Sequence, residues 1–473
     1  MAGASCNRAL LDLDAGAGAG RPFHVEAEVG VTQRTLIVGL GVTGVSCIKH
    51  LAGRDELTVL DTREQPPGLA EARAQHPEID YRLGACDIDF APFDRVILSP
   101  GLRLQSALGQ RIRASSLPVL SDIDLFCRAV DEPIYAITGT NGKSTVTAWV
   151  GHALAQLNHR PGVGGNLGEA ALDIIGPDRD CYVLELSSFQ LERMQTYPYR
   201  AATVLNVSAD HLDHHANLTA YAAAKRRIYR QAERLVVNRD DPLSQPDLSA
   251  EGSAVTFGAS PPGTGQWGVR TLGRKRWLAK GVEAVVEARR LPLAGGHNEC
   301  NALAVMALIN GSENGGGLAA LGESVLGYRG LAHRCELVGV VDGVTYINDS
   351  KATNPGATMA ALRSFSDRPG HIVLIAGGEG KGADFAALGQ AIATCARSLI
   401  PIGQDGPAIA KAAGLDLQGG RPRRLAEAVR QAATCARPGD TVLLSPACAS
   451  FDHFSDFRAR GEAFRALVKE LGS

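Results

Sequence analysis

Short apolar runs alternate with amphipathic segments along most of the chain. The clearest amphipathic segment follows residue 142, where apolar side chains recur at three- and four-residue steps and form one face of a predicted helix. Its apolar positions are Val146, Trp149, Val150, Ala153, Leu154 and Leu157. The predicted strands around it are RTLIVG (34–39), YAITG (135–139), YVLEL (182–186), ATVLNV (202–207) and RLVVN (234–238). Strands that alternate with helices indicate parallel sheets covered on both faces.

The pattern changes between about residues 251 and 295. Glycine and proline cluster in SPPGTG (260–265), and the short runs WGV (267–269) and RWLAKG (276–281) follow, which predicts antiparallel hairpins added to the second unit. Alternation resumes after about residue 330, with predicted strands in VTYIND (344–349), HIVLIAGG (371–378), SLIPIG (398–403) and TVLLSPA (441–447). We therefore predict three successive α/β units, with boundaries near residues 128 and 330.

Composition narrows the class of protein without identifying it. The 473 residues are 45% hydrophobic and 21% charged, which argues against disorder and coiled coil, and a net charge of -2 argues against a nucleic-acid-coating role. Apolar runs fall short of the ~18 residues that a membrane-spanning helix needs. The ten cysteines form no C-x-x-C pair and the N-terminus does not resemble a signal peptide. We expect a cytoplasmic protein, with no nucleic-acid partner and no membrane insertion.

Polar residues and glycines follow the predicted strands. They are Gly39, Asp61, Gly139, Glu185, Asn206, Asp349, Gly377 and Ser445. In open α/β sheets, ligands bind beyond the carboxyl ends of the strands. The sequence therefore predicts one or more sites assembled between the units.

The first glycine-rich turn spans Gly39–Gly44, between a predicted strand and a predicted helix. Asp61 ends the next strand, where a carboxylate can accept hydrogen bonds from a ribose or a base. Glycines let the backbone approach a diphosphate, and the helix N-terminus favours its negative charge. The turn is predicted to bind a nucleotide or its diphosphate; the alternative is a tight structural turn. The motif does not identify NAD.

The second glycine-rich turn is TGTNGKST, residues 138–145. Its backbone N–H groups can cradle phosphates, Lys143 can reach the β and γ oxygens, and the Ser144 hydroxyl can hold Mg²⁺. The glycines are closer together than in G-x-x-x-x-G-K-[ST], so this is a shortened variant, and a plain glycine turn is the alternative. The chain has no N-K-x-D motif, which disfavours a GTPase switch.

Many segments of the chain resemble, in order, those of the Mur ligases of peptidoglycan synthesis. These segments are GLGVTG, LDTRE, LSPG, ITGTNGKSTVT, GGNLG, LELSSFQLE, NVSADHLDHH, AAKRRIY, GGHNECNAL, AHRCE, INDSKATN, GGEGKGADF and SPACASFDHF. They cover about residues 34–470. TGTNGKST is shared across a superfamily that includes folylpolyglutamate synthetases, whereas LELSSFQLE and SPACASFDHF are typical of the ligases that add D-glutamate.

The resemblance implies an α/β fold of three domains. Residues 34–128 would be a Rossmann-like domain that binds the UDP-substrate, and residues 129–330 a P-loop ATPase-like domain that binds ATP, with an added antiparallel sheet. Residues 331–473 would be a Rossmann-like domain that binds the amino acid and closes onto the second. Residues 1–33, with the run AGAGAG, would be a flexible extension. A monomer is expected.

The reaction implied by the resemblance is ATP-dependent amide formation. The carboxylate of UDP-N-acetylmuramoyl-L-alanine takes the γ-phosphoryl group, and the amine of D-glutamate attacks the resulting acyl phosphate. ADP and phosphate are released. A carboxylate is a poor electrophile, and phosphorylation supplies a leaving group while the protein mainly positions the reactants and neutralises charge.

The resemblance also implies the residues around ATP and two Mg²⁺ ions. The ATP-binding residues would be Gly139, Thr140, Asn141, Gly142, Lys143, Ser144, Thr145, Asn298, Asn301, Arg334, Asp349 and Lys351. The metal ligands would be Ser144, Glu185, His211 and Lys225, the last as a carbamate. The catalytic residues would be Lys143, His211 and Lys225. Ala332 stands where the family usually has proline.

Plainer interpretations of these residues remain open. Glu185 could be a helix N-cap or a surface acid, and Asp349 could cap the following helix. Taken by itself, the DHLDHH segment that contains His211 suggests a polar loop or a zinc site. Lys225 could be an ordinary solvated helix lysine.

Two further ligand sets follow from the resemblance. The UDP-substrate would meet Val42, Thr43, Asp61, Thr62, Arg63, Ser99, Pro100, Gly101 and Asn166. D-glutamate would meet Thr353, Lys381, Ser450 and Phe457. Taken alone, Asn166 would be a turn asparagine and Lys381 an exposed loop lysine. The chain lacks D-N-P-R, the mark of the ligase that adds diaminopimelate, which favours glutamate.

Three rival functions remain at this point. One is a folate or other amino-acid ligase that uses the same phosphate loop. Another is an NAD-dependent dehydrogenase built on Gly39–Gly44, in which the phosphate loop would be idle. The third is a nucleotide-controlled binding module without ligase chemistry.

Overall fold

Three β-sheets, each covered by helices, organise the protein in a computed structural model. The structure describes residues 32–472, except 85–86, 212–213, 248–252, 294, 313–315, 367–368 and 416–423. Residues 1–31 of the predicted extension lie outside the described residues.

The first sheet is parallel throughout. Its unit contains β1 (Arg34–Val38), α1 (Val42–Leu51), β2 (Glu56–Asp61), α2 (Leu69–Gln75), β3 (Asp80–Leu83), β4 (Arg95–Leu98), α3 (Ala107–Ala114), β5 (Val119–Leu120) and α4 (Asp122–Ala129). The strand order is β3-β2-β1-β4-β5. The chain reverses its direction across the sheet between β1 and β4, so the loops after these two strands open a crevice at a topological switch point.

The second sheet has nine strands in both orientations. Its unit contains β6 (Ile134–Thr138), α5 (Lys143–Gln156), β7 (Pro161–Gly165), β8 (Cys181–Glu185), α6 (Ser188–Arg193), β9 (Ala201–Val204), α7 (Leu218–Arg226), β10 (Arg234–Asn238), β11 (Ser253–Phe257), β12 (Trp267–Leu272), β13 (Lys275–Lys280), β14 (Glu283–Glu287), α8 (Gly296–Ile309) and α9 (Gly317–Ser324). The strand order is β14-β13-β12-β11-β10-β9-β6-β8-β7. Because β6 lies between β8 and β9 in parallel, the carboxyl ends of these three strands meet at one edge.

The third sheet is parallel except at one edge. Its unit contains β15 (Glu336–Val341), β16 (Val344–Asn348), α10 (Pro355–Ser366), β17 (Ile372–Gly377), α11 (Ala386–Cys395), β18 (Ala396–Ile402), α12 (Gly406–Ala412), α13 (Leu425–Cys435), β19 (Thr441–Leu444) and α14 (Phe457–Leu471). The strand order is β15-β16-β19-β17-β18, with β15 antiparallel to β16.

The predicted strands are confirmed, and the differences have local causes. The segment PGVGG forms β7 although proline and glycine weaken a strand, because it pairs in parallel with the fully buried β8. The predicted antiparallel strands are β12, β13 and β14, which extend the central sheet itself. The expectation of antiparallel pairing is wrong for β11, which pairs in parallel with β10. Residues 239–252 are long enough for the crossover that a parallel pair requires.

The first two units share one hydrophobic core. Phe126 of α4 and Tyr182 of β8 are fully buried, and their rings meet edge to face with centroids 5.1 Å apart. This contact joins the helix that leaves the first sheet to a central strand of the second. The strand that ends at Glu185 is thereby fixed relative to the first unit.

Two further observations concern the described residues as a whole. The eight cysteines among them are free thiols. Among the helices within the described ranges, none is both long and apolar enough to cross a membrane.

We predict that Phe126→Ala lowers the free energy of unfolding by about 3–5 kcal/mol, because it empties a fully buried site at the junction of two units. Urea unfolding followed by circular dichroism measures the change. Val282→Ala is the control, because Val282 is 81% exposed and its loss should change stability by less than about 0.5 kcal/mol. Equal stability of the two variants would contradict the shared core.

Candidate active site

The phosphate loop joins β6 to α5 at the centre of the second sheet. Gly139 and Gly142 have φ values of +155° and +83°, which suit glycine. Gly142 precedes α5, whose first N–H groups receive no side-chain cap. A helix N-terminus with free N–H groups is a ready site for phosphate. A Cβ at Gly142 would lie 3.0 Å from Oδ1 of Asn301, so this position also needs a small residue.

Asn206, just beyond β9, holds this loop in place. Its Oδ1 accepts a hydrogen bond from the Asn141 N–H at 2.8 Å, and its Nδ2 donates to the Asn141 carbonyl at 3.0 Å. Thr140 is bonded to Ser208 in the same segment, since the Ser208 N–H donates to its Oγ1 at 3.0 Å. The loop is therefore preorganised by the neighbouring strand, which lowers the cost of ordering it around a ligand.

Glu185 places a negative charge beside the loop. The residue is 2% exposed, and its Oε1 accepts a hydrogen bond from Asn166 Nδ2 at 2.7 Å. Its Oε2 is buried without a hydrogen-bond partner among the described residues. The N-cap interpretation is wrong, because Ser187 caps α6, and so is the surface interpretation. A buried carboxylate oxygen without a partner is costly, and oxygen ligands suit Mg²⁺, so the site fits a metal ion.

Two lysines converge on the carbonyl of Gly139. Lys143 Nζ and Lys225 Nζ each donate to this oxygen at 2.8 Å. Lys225 is 1% exposed, so the solvated interpretation is wrong. Burial and the charge of Lys143 hold the pKa of Lys225 well below its ordinary value. A neutral amine is nucleophilic and can react with CO₂, which is the chemistry of carbamate formation.

His211 lies on the loop that leaves β9. Its side chain is about half exposed, and its φ of +53° places it in the left-handed region. The Tyr221 ring lies between it and the buried lysine: its centroid is 6.3 Å from the His211 ring centroid and 4.5 Å from Lys225 Nζ. The structure thus gathers His211, Lys225 and the phosphate loop around one aromatic ring.

The third unit reaches the phosphate loop directly. Arg334 donates from its NH2 group to Ser144 Oγ at 2.6 Å. Asn354 Nδ2 donates to Asp210 Oδ2 at 3.3 Å, beside His211. Arg334 thus lies at the hydroxyl expected to hold a metal ion, so a cation bound there would have to displace it.

Asp349 and Lys351 follow β16 and face the same region. The Asp349 carboxylate accepts hydrogen bonds from the Cys335 N–H at 3.1 Å and from Ser445 Oγ at 2.8 Å. The helix-cap interpretation is therefore wrong. Burial raises the pKa of Asp349 to about 6, and burial with the neighbouring cation Arg334 lowers the pKa of Lys351 to about 8.

The other ATP-site expectations concern Asn298 and Asn301 in α8. Asn301 Nδ2 donates to Asn298 Oδ1 at 3.1 Å. Asn301 also borders the loop at Gly142. The structure therefore brings this pair close to the phosphate loop, at the N-terminus of α5.

The residues expected at the UDP end lie at the switch point of the first sheet. A Cβ at Gly39 would lie 2.7 Å from the Ser99 Cβ, so the first glycine turn touches the segment 99–101. Asp61 is 3% exposed and its carboxylate accepts from the Leu40 N–H at 2.7 Å and from the Arg63 guanidinium. Asp61 therefore holds the glycine turn in this structure. Of the remaining residues of this set, Val42 and Thr43 begin α1, and Thr62, Pro100 and Gly101 lie in the loops after β2 and β4. Asn166 lies apart from them, after β7 and beside Glu185.

Of the residues expected to hold the amino acid, Thr353, Lys381 and Ser450 lie on loops of the third unit and Phe457 begins α14. Lys381 is exposed, in agreement with its interpretation as an exposed loop lysine. Its φ is +51°, and its Nζ lies 5.2 Å from the Phe451 ring centroid. The Phe457 ring centroid is 4.3 Å from Lys351 Nζ. Ser450 is buried, and Thr353 is half-buried, two residues after Lys351.

Sequence reasoning missed three residues that connect these parts, and it marked a fourth, Asn206, only by its position at the end of a strand. Asn206 and Asn354 hold the phosphate loop and its neighbour. Arg193 donates from NH1 to the Ser99 carbonyl at 2.8 Å and from NH2 to the Leu102 carbonyl, across the first two units. Arg460 is buried and donates to the carbonyls of Ser350 and Cys448. The strand-end position of Asn206 signalled it. Arg193 donates to backbone carbonyls and Arg460 also donates to Ser350 Oγ at 2.9 Å, and neither arginine leaves a local motif in the sequence.

The fold and the loop define a phosphate-loop nucleotide-binding protein of three α/β units. Three family models match it in order. They are the Mur ligase MurD-like N-terminal domain over residues 33–121, the Mur ligase middle domain over 137–309, and the Mur ligase glutamate ligase domain over 333–448.

Individual proteins are similar over nearly the whole chain. The UDP-N-acetylmuramoylalanine--D-glutamate ligase of Marinobacter nauticus is 46% identical over 93% of this chain and 98% of its own. That of Pseudomonas aeruginosa is 44% identical over 92% and 98%. The crystal structure of UDP-N-acetylmuramate-alanine ligase MurC from Thermotoga maritima has the same fold, with a TM-score of 0.58 at 21% identity over 93% of this chain and 99% of that one. This chain belongs to the Mur ligase family.

We predict that Glu185→Gln weakens metal binding at least about tenfold, because the amide keeps an oxygen for Asn166 but removes the charge. Electron paramagnetic resonance of Mn²⁺, with a non-hydrolysable ATP analogue present, measures the affinity. Glu169→Gln is the matched control, because Glu169 is exposed on the neighbouring segment and should leave the affinity unchanged. Equal Mn²⁺ affinity in both variants would remove Glu185 from the metal site.

Proposed function

We propose that this protein joins D-glutamate to UDP-N-acetylmuramoyl-L-alanine, with cleavage of ATP to ADP and phosphate, in peptidoglycan precursor synthesis. The observation that carries the proposal is the pair Glu185 and Asn166, which lies next to the phosphate loop and has one carboxylate oxygen unpartnered among the described residues. Relatives that carry this activity in their names are 43–46% identical along nearly the full chain, which supports D-glutamate as the amine.

ATP is held by the phosphate loop at the N-terminus of α5. Lys143, which donates to the carbonyls of Gly139 and Thr140 at 2.8 Å, can turn its ammonium to the phosphoryl oxygens when they arrive. Arg334 and Lys351 add positive charge from the third unit. Concentrated positive charge around the transferring group is the main source of catalysis in phosphoryl transfer. Asn298, Asn301 and Asp349 complete the nucleotide site.

Two Mg²⁺ ions fit the remaining charges. Ser144 and Glu185 would hold the first, and His211 with Lys225 as carbamate would hold the second. Bound there, Mg²⁺ supplies charge neutralisation at the phosphoryl oxygens and the acceptor carboxylate. The carbamate forms when the Lys225 ammonium loses a proton to solvent, the neutral amine attacks the carbon of CO₂, and a second proton leaves the nitrogen. Together these steps convert a buried cation into an anion with two oxygens.

The acceptor extends from the first unit to the phosphate loop. The glycine turn with Val42 and Thr43 would meet its diphosphate, and segments 61–63 and 99–101 would enclose the uracil. Arg193 fixes the second of these segments to the helix that follows Glu185, so the nucleotide and the reacting carboxylate keep a set separation. Asn166 would meet the acceptor near that carboxylate.

D-glutamate is bound by residues of the third unit, and its amine stays free. Lys381 and Ser450 would hold its carboxylates, with Thr353 and Phe457 beside them. The amine attacks the acyl carbon, and the tetrahedral intermediate collapses as phosphate leaves. ATP and UDP-sugars are cytoplasmic metabolites, so we place the reaction in the cytoplasm. All these residues come from one chain, and we expect a monomer.

Phosphate release tests the proposal. With ATP, Mg²⁺ and UDP-N-acetylmuramoyl-L-alanine, we expect release to depend on D-glutamate and not on L-glutamate, L-alanine or diaminopimelate. Folate in place of the UDP-acceptor tests the folate-ligase rival. Phosphate release that does not depend on any amino acid would favour a binding module and overturn the proposal.

We predict that Lys225→Ala lowers kcat by about 10²–10³-fold, because the variant loses the oxygens that would hold the second ion. Short carboxylic acids such as acetate should restore part of the activity, since they can fill the space with a carboxylate. Lys49→Ala is the control, because Lys49 is an exposed lysine paired with Glu71. A fully active Lys225→Ala enzyme would contradict the assignment of Lys225 as a carbamate.

A further inference from the structure

A second group of metal-binding side chains lies beside the active site. Glu192 in α6 faces His214 and His215 on the loop after β9, and their ligand atoms all lie within 4.8 Å of one another. His214 Nε2 and Glu192 Oε2 are 3.0 Å apart. None of these three residues has a part in the proposed reaction.

The two imidazoles are held before any ligand arrives. The Phe189 ring centroid lies 4.5 Å from that of His214, edge to face, and 5.8 Å from that of His215, stacked. The His215 Nε2 is 3.0 Å from Ser188 Oγ, which fixes the orientation of the ring. The side chain of His214 is 6% exposed, and His215 is 4% exposed. Such outer contacts are what orients histidine ligands in metal sites.

The donor set identifies the class of ion. Two imidazole nitrogens and one carboxylate suit Zn²⁺, Co²⁺ or Ni²⁺, whereas Mg²⁺ prefers oxygen ligands throughout. We propose that Glu192, His214 and His215 bind a transition-metal ion of this class, separate from the magnesium site at Glu185. The ion takes the place of the hydrogen bond between His214 and Glu192, whose proton is released to solvent, and connects the loop to α6. This loop also carries His211, so the ion fixes its backbone next to the phosphate loop.

A second cluster in the described part of the chain provides the matched comparison. His159, Asp180 and Cys181 also converge. Burial and the neighbouring Asp180 raise the pKa of Cys181 to about 12, so the thiol resists the deprotonation that metal binding needs. The Asp180 carboxylate already accepts a hydrogen bond from the Arg160 N–H at 2.9 Å. The Glu192 cluster is therefore the stronger site.

Zinc titration of the full chain tests the proposal. Calorimetry with ZnCl₂, in a large excess of MgCl₂ to mask oxygen sites, should give one site per chain. Co²⁺ should add visible absorption bands, and Zn²⁺ should raise the melting temperature. His214→Gln and Glu192→Gln should each weaken Zn²⁺ binding at least about tenfold and remove the Co²⁺ bands.

Control variants separate this site from its neighbours. His159→Gln should leave the Zn²⁺ affinity unchanged, which would exclude the second cluster as the Zn²⁺ site. Glu185→Gln should also leave it unchanged, which would exclude the magnesium site. Glu192→Gln alters a side chain that is one-third exposed, so its fold should survive even if that of His214→Gln does not. Loss of all Zn²⁺ binding in excess Mg²⁺, or unchanged affinity in both cluster variants, would show that the Glu192–His214 contact is only a hydrogen bond. The test needs no ligase activity, so it stands whether or not the proposed function holds.

Discussion

The rest of the site depends on the buried carboxylate of Glu185. It ends a fully buried strand, and one of its oxygens has a partner in Asn166 while the other has none among the described residues. The amines of Lys143 and Lys225 lie at the same loop, where each donates to the Gly139 carbonyl. Charges withdrawn from water in this way cost several kcal/mol each unless they are compensated. A metal ion and a phosphate chain would supply that compensation, so the charges around the loop favour the binding of both.

The parallel topology of the central sheet creates this concentration of charge. β6, β8 and β9 are neighbours, so their carboxyl ends deliver the phosphate loop, Glu185 and Asn206 to one edge. The side chains are distant in sequence and meet only because the strands run in the same direction. The antiparallel strands β12 to β14 extend the sheet on the far side and leave this edge open.

Contacts between units connect the central edge to the outer loops. Arg193 bonds the backbone of segment 99–102 in the first unit, and Arg334 bonds Ser144 from the third. Each of these two arginines is a charged donor that links the backbone or side chains of two units. A shift of either outer unit therefore displaces groups at the phosphate loop. The distances between the three bound substrates thus depend on all three units.

The sequence alone determined the order of strands and helices, the two glycine turns and the polar residues at strand ends, because these depend on local periodicity and on backbone conformations that only glycine adopts freely. It also carried the family resemblance. Tertiary structure alone decided which interpretation of Glu185, Lys225 and Asp349 holds, because burial depends on what packs over a residue from elsewhere in the chain. It also revealed the backbone contacts of Arg193 and Arg460, the bond of Arg460 to the Ser350 hydroxyl, and the contact of Glu192 with His214. Such contacts join segments distant along the chain, and no local pattern of residues records them.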